Sequence, residues 1–524
     1  MSRFTVCSAL RSQEVVAYNF PKCQRCSEHL VEETGADEGL TPLFLCKGAP
    51  ENLIAEPGTL KWASAVKFKG KSGEILLLPD LEKPAGLSKV VIGVDDENDV
   101  WGSAAIAKLP AGAYRAHIST FGESTFRLFR SVALGFMLGH YCFSRYKKKK
   151  IPRSRESQDF EELTVREKAR LVWPTSDASA RAEVLALAQA IYLARDLITT
   201  PAEDLGPQHL AAEATALARA HQGASITVIE GEELLQQNYP AIHTVGRASS
   251  RQPLLIDLRW SPPAIAGDER GDLPLVCLVG KGVCFDTGGL DIKPASSMKL
   301  MKKDMGGAAL LLALSHVIMD QALPVRLRLL IPAVENSISG NAFRPLDVLQ
   351  TRAGITVENG NTDAEGRLIL CDALTEAAAD SPDLLVDAAT LTGAARTALG
   401  SEIPAVFSSC DQLWSELQDA ALEEGEMLWR LPLYKGYRKM LESKVADMAS
   451  TGGEGSPGAI VAALFLQEFV KHVPRWLHID TGAYNKSSKE GRPEGGEAQG
   501  LRALWAFLKR RYQKKVKEGS SKRV

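Results

Sequence analysis

The sequence predicts an α/β protein of two domains: a smaller N-terminal α/β domain and a larger C-terminal one, whose mostly parallel mixed sheet is flanked by helices. Three observations carry that expectation. The chain has 524 residues, more than one ordinary core accommodates. From about residue 253, short apolar runs alternate with longer runs of helical spacing, the pattern of a sheet covered on both faces. Between the two regions lies YKKKKIPRSRESQDFEE, residues 146–162, charged and proline-containing like a surface connection. The expected division is therefore 1–170 for the first domain with its linker, 171–508 for the second, and 509–524 for a basic tail.

In the first domain, GEILLLPD and KVVIGVDD read as strands, and DVWGSAAIAKL and FRLFRSVALGFMLGHYCF have helical spacing. SARAEVLALAQAIYLARDLIT, residues 179–199, is a helix rich in Ala and Leu, and a Pro/Gly break precedes the next, in TPAEDLGPQHLAAEATALARA. The alternation then runs LPLVCLVG (strand), GGAALLLALSHVIMD (helix), VRLRLLIPAV (strand), EGRLILCDALTEAAA (helix), LLVDAAT (strand), AIVAALFLQEFVKHV (helix) and RWLHIDTGAY (strand). In such sheets ligands bind at the carboxyl ends of strands. The tail, KRRYQKKVKEGSSKRV, reads as frayed.

A net charge of −2 gives no case for nucleic acid or an anionic membrane as partner. No apolar run is long enough to span a bilayer, and MSRFTVCSALRSQEVV has no signal-peptide core. The nine cysteines are scattered, several of them in apolar runs, where Cys acts as a small core residue. A reducing cytoplasm is the expected location.

NTDAEGRL, residues 361–368, places Asp363, Glu365 and Arg367 at the mouth of an apolar helix. Buried charges cost several kcal/mol unless paired or bound to metal. Lys281, Asp286, Lys293 and Asp304 follow the first apolar run, on turns punctuated by Gly282, Gly288 and Gly289. So four carboxylates collect on loops at one sheet edge. Crowded carboxylates raise one another's pKa, and a divalent cation is the usual remedy. Oxygen-rich sites suit Mg, Mn or Zn, and two such ions could activate a water between them. HExxH is absent, which excludes the single-zinc peptidase pattern. Taken alone, DxE is a helix N-cap with a dipole-favoured Glu, and a carboxylate-rich pair of metals could also serve a phosphoesterase.

VGKGVCFDTGG, MKKDMGGAA, PAVENSISGNAFRP, NTDAEGRL and DAATLTGA together resemble the leucyl aminopeptidase family, the two-metal cytosol aminopeptidases. The resemblance covers roughly residues 190–508. It implies a metalloaminopeptidase, a hydrolase that removes N-terminal residues, leucine by preference, from small peptides, using a hydroxide bridging two divalent metals. Asp286 and Glu365 match the carboxylates that bridge the metals, Lys281 and Asp304 the other ligands of the tighter ion, and Asp363 the ligand of the looser one. A lysine ligand must be neutral, so Lys281 needs a lowered pKa. Lys293 matches a charged electrophile for the oxyanion, and Arg367 matches the holder of a bicarbonate general base. Met301, Thr390 and Gly393 match the pocket for the first side chain, and Leu391 a backbone contact to substrate. Zn or Mn is the implied metal, with Co and Mg also fitting, and a cytoplasmic homohexamer is the implied assembly. Gly360 departs from the family, which often has a bulkier residue there; this suggests a looser entry to the motif.

Three further features take plainer readings. CQRC at 23–26, with His29, is half a zinc knuckle without its second CxxC. His478 in WLHID reads as a core or interface histidine. KKKK at 147–150 and the basic tail read as solvated charge rather than a nucleic-acid surface.

Overall fold

The structure, a computed structural model, describes residues 29–32, 40–48, 57–80, 86–117, 125–147, 168–173, 178–263 and 271–521. CQRC, residues 148–150 of the lysine run and residues 522–524 lie outside them. By its internal contacts the chain divides into two compact units. One is built on Lys22–Tyr192 with Lys486–Glu494, the other on Leu193–Asn485 with Gly495–Val524.

The first unit carries a six-stranded sheet. Its strands are β1 (Leu30–Glu32), β2 (Leu40–Cys46), β3 (Ile75–Pro79), β4 (Leu87–Gly93), β5 (Gly112–His117) and β6 (Ala169–Trp173), in spatial order β1-β6-β5-β2-β4-β3. All neighbours are parallel except β3 and β4. Helix α1 (Thr125–Gly139) is buried on every side from Ser131 to Leu138, which is why its second half is apolar all round. DVWGSAAIAKL forms one α-turn, Val100–Ser103, followed by a 3-10 turn, Ala104–Lys108. Asp99 caps it by accepting from the Gly102 amide at 2.8 Å. Helix α2 (Ala178–Thr199) follows.

In the second unit the strands begin with β7 (Ala224–Glu230), β8 (Leu254–Trp260), β9 (Leu275–Gly280), β10 (Gly282–Asp286) and β11 (Arg326–Asn336). After two short strands, β12 (Val348–Gln350) and β13 (Thr356–Glu358), come β14 (Leu384–Ala389), β15 (Ala405–Ser408), β16 (Trp429–Arg430), β17 (Met448–Ala449) and β18 (Trp476–Asp480). The main sheet runs β16-β15-β18-β14-β9-β11-β8-β7, with β10 beside β11. Its centre, β18-β14-β9-β11, is parallel, whereas β15, β8 and β7 join antiparallel. Strand β14 is buried along its whole length, which is why its sequence, LLVDAA, is apolar but for Asp387. Helices α3 (Gly306–Asp320), α4 (Glu365–Ala379) and α5 (Gly458–Glu468) follow the expected alternation. Leu368, Cys371 and Leu374 of α4 pack into one core with Cys277, Leu330, Phe465 and Trp476.

His478 is fully buried in β18; its Nδ1 lies 2.5 Å from Asp387 Oδ1, whose other oxygen accepts from Trp476 Nε1 at 2.7 Å. The basic tail differs from its reading as frayed. Helix α6 (Leu501–Ser521) runs through most of it. Tyr512 is buried and donates to Asp383 at 2.8 Å, Arg511 donates to Glu416 at 2.6 Å, and Arg510 pairs with Glu423. Tyr512 lies one turn beyond Leu508, so the apolar face continues past the point where charge dominates the sequence. Among the described residues no helix is long and apolar enough to cross a membrane, and the six described cysteines are free.

Candidate metal centre

Strand β9 ends at Gly280 and delivers Lys281, whose amide donates to Ala388 O of β14 at 3.0 Å. Strand β10 ends on Asp286. Asp304 closes a 3-10 turn, Met301–Lys303, just before α3. Asp363 lies in the turn Thr362–Ala364, whose Asn361 cap accepts from the Asp363 amide at 2.8 Å, and Glu365 opens α4. Separate strand ends thus bring their loops to one edge of the sheet, as strand–helix alternation requires.

The charged groups meet there. Lys281 Nζ lies 2.7 Å from Asp304 Oδ2 and 2.9 Å from Glu365 Oε1, and donates to Thr390 O at 3.3 Å. Lys293 Nζ lies 2.8 Å from Asp286 Oδ2 and contacts Asp363 Oδ1. Lys281, Asp304 and Glu365 are buried. One oxygen each of Asp286, Asp363 and Glu365 fall within 4.8 Å of one another. Burial, then the charge of Asp286, pushes Glu365 above the usual carboxylate range; burial, then Asp304, does the same to Asp286. Burial works against both ammonium groups. The carboxylates outweigh it and hold Lys281 and Lys293 above the usual lysine range.

The donor set fits divalent cations. Four carboxylates and one amine form an oxygen-rich site of hard and borderline ligands. Asp304 Oδ2 and Asp363 Oδ1 are shut off from solvent yet accept no well-formed hydrogen bond, although each has a lysine close by. Buried carboxylate oxygens need a cation beside them, and here the ammonium groups of Lys281 and Lys293 stand in that place.

A family model described as "Cytosol aminopeptidase family, catalytic domain" matches residues 192–505, and one described as "M17 aminopeptidase, N-terminal domain" matches 52–156. The chain belongs to the cytosol aminopeptidase family. It is therefore a hydrolase, a metal-dependent aminopeptidase that acts on peptides. It is 46% identical over 320 residues to Peptidase B of Pectobacterium carotovorum, spanning 60% of this chain and 72% of that one. The solved cytosol aminopeptidase of Coxiella burnetii superposes with a TM-score of 0.82 at 42% identity, covering 93% of this chain and all of that one. A bottromycin maturation enzyme, BotP, solved in complex with Mn, superposes at 0.78 with 31% identity, over 90% of this chain and 99% of that one.

In this aminopeptidase Thr390 stands against the cluster, donating to Asp304 Oδ1 at 2.7 Å and to its carbonyl at 3.1 Å. Met301, in the turn before Asp304, accepts the Asp304 amide at 3.2 Å. Leu391 is half-buried and its amide donates to Asp480 Oδ1 at 3.0 Å; Gly393 is exposed at the start of Gly393–Leu399. Arg367 is buried on α4 and makes no ion pair with the carboxylates. Its Nη1 donates to Ser450 O at 2.7 Å, while its buried Nε has no hydrogen-bond partner among the described residues. Burial, opposed by Glu365 and Asp480, brings its pKa down to about 10.

Gly360 does not loosen its loop. Thr451 Oγ1 lies 2.2 Å from where a Cβ would stand, and the Gly360 amide donates to Ser450 Oγ at 3.0 Å. Sequence reading also missed Asn336, Thr362 and Gly366. Asn336 and Thr362 tie the loops together; Gly366 clears a path for Lys281. Asn336 sits in the quoted string PAVENSISG, and Thr362 and Gly366 in NTDAEGRL; their charged neighbours alone drew attention.

Proposed function

We propose that this enzyme removes N-terminal residues, leucine by preference, from small peptides at a two-metal centre. Lys281, Asp286, Asp304, Asp363 and Glu365 are the residues that would hold the two ions. The observation that carries the reading is the convergence at one sheet edge of Asp286, Asp363 and Glu365, one oxygen of each within 4.8 Å of the others, with Asp304 joined to Glu365 through Lys281. Divalent ions there, Zn or Mn first and Co or Mg next, supply Lewis acidity toward the scissile carbonyl and lower the pKa of a shared water.

The chain's own groups do the rest. Lys281 would bind as a neutral amine, the proton that the carboxylates otherwise hold on it passing to solvent. Lys293 stays charged and steadies the developing oxyanion. Arg367, whose Nε has no hydrogen-bond partner among the described residues, would hold a bicarbonate, which would supply a general base. Met301, Thr390 and Gly393 border the side-chain pocket, and Leu391 offers its backbone to the substrate. A cytoplasmic homohexamer is the assembly this reading carries with it.

The test is hydrolysis of leucine-p-nitroanilide by chelated enzyme, with Zn, Mn, Co and Mg added back singly. Loss on chelation and return with metal supports the reading, and a set of aminoacyl anilides ranks leucine. Inactivity with every ion, in protein that binds two per chain, overturns the substrate assignment. Sedimentation checks the hexamer.

A further inference from the structure

Asn336 is fully buried at the end of β11, directly beside Asp286 of β10 in parallel register. Residues paired in this way present their side chains to the same face of a sheet. Its amide nitrogen donates to Asp286 Oδ1 at 2.9 Å and to the Thr362 carbonyl at 3.0 Å, and lies 3.5 Å from Glu365 Oε2. Its own backbone carbonyl is pinned by Thr287, through the amide at 3.0 Å and the hydroxyl at 2.8 Å.

These contacts divide the oxygens of Asp286. Oδ1 accepts twice, from Asn336 and from the Gly288 amide at 2.8 Å. Oδ2 instead lies 2.8 Å from Lys293 Nζ. The same amide reaches the loop of Thr362 and the carboxylate of Glu365, so one side chain spans the two motifs. Thr362 is fastened a second time by Asp291, its amide donating to Asp291 Oδ2 at 2.8 Å. Asn336 differs from that latch because it touches two of the carboxylates themselves. A neutral donor suits the place. It orients carboxylates without supplying a charge that competes with a cation, which a lysine there would do.

We infer that Asn336 is a positioning residue of the metal centre, aiming Asp286 and Glu365 at the ions they share; this rests on the two-metal reading above. Groups that orient metal ligands typically change affinity or activity by about 10–100-fold when removed.

The experiment titrates metal-free wild type, N336A and N336S with Mn²⁺, counting free ion by electron paramagnetic resonance, and records the visible spectrum of each with Co²⁺. Melting of the metal-free proteins reports the fold, and N336S serves where N336A does not fold. The expected result is Mn²⁺ affinity weakened about 10–100-fold, a shifted Co²⁺ spectrum, and a fall in kcat larger than any rise in KM. Wild-type affinity and spectrum in a folded variant would overturn the inference. Wild-type protein that binds no Mn²⁺ would instead overturn the metal-centre reading beneath it.

Discussion

The side chain of Lys281 passes directly over the backbone of Gly366: a Cβ at residue 366 would stand 2.6 Å from both Lys281 Cε and Nζ, and 2.8 Å from Cδ. No real Cβ contact is that short. Gly366 is in the first turn of α4, where alanine is otherwise better by about 0.5–1 kcal/mol. Here the steric cost decides, because Lys281 is hemmed in by Asp304, Glu365 and Thr390. Gly366→Ala is expected to lower kcat/KM about 100-fold, as misplacing a reacting group by about 1 Å does. An unchanged kcat/KM would mean that Lys281 needs no such path.

Asp304→Ala and Glu365→Ala each remove a carboxylate from the cluster. Either change should cut activity by at least about 100-fold while the metal-free fold persists, since each also relieves like-charge repulsion. The check pairs steady-state rates after metal repletion with circular dichroism. A near wild-type rate from either variant would remove that residue from the ligand set.

Arg367 is predicted to act more weakly and through an anion. Arg367→Ala should lower the rate by less than loss of a ligand, and added bicarbonate should restore part of it. The measurement uses carbonate-free buffer with bicarbonate added stepwise. A flat response in wild type and variant alike would take the bicarbonate role from Arg367.

The legible part of this protein was the part governed by period and charge. Each central strand is buried on both faces, so β9 reads as an unbroken apolar run and β14 and β18 as apolar runs interrupted only by Asp387, His478 and Asp480, and the charged set at their ends had to converge once the sheet was parallel. Contacts made by small or neutral groups left no such mark. Asn336 looks like any asparagine until β10 and β11 are placed in register, and Gly360 looks permissive until Thr451 fills the space beside it. The tail misled for a related reason: Tyr512 is one aromatic residue among many cations, and its partner Asp383 lies far away in sequence.

A pair of histidines away from the site predicts how stability depends on pH. His221 Nε2 and His316 Nδ1 lie 3.1 Å apart, with His316 buried on α3. One ring must donate and the other accept, so the pair holds only while at least one ring is neutral. Burial, then His221, lowers the His316 pKa from its ordinary 6.5 to about 3; burial lowers that of His221 too, against Asp320. Above pH 6.5 His316 is neutral both folded and unfolded and contributes no pH dependence. Below it, the unfolded chain takes a proton that the folded one refuses, and stability falls by about 1.4 kcal/mol per pH unit until about pH 3. Urea denaturation should therefore show wild type losing about 2 kcal/mol more than His316→Asn between pH 7 and pH 5. Asparagine keeps a donor and an acceptor for His221 but cannot titrate. Equal losses in the two proteins would show that the buried pair does not set the acid limb.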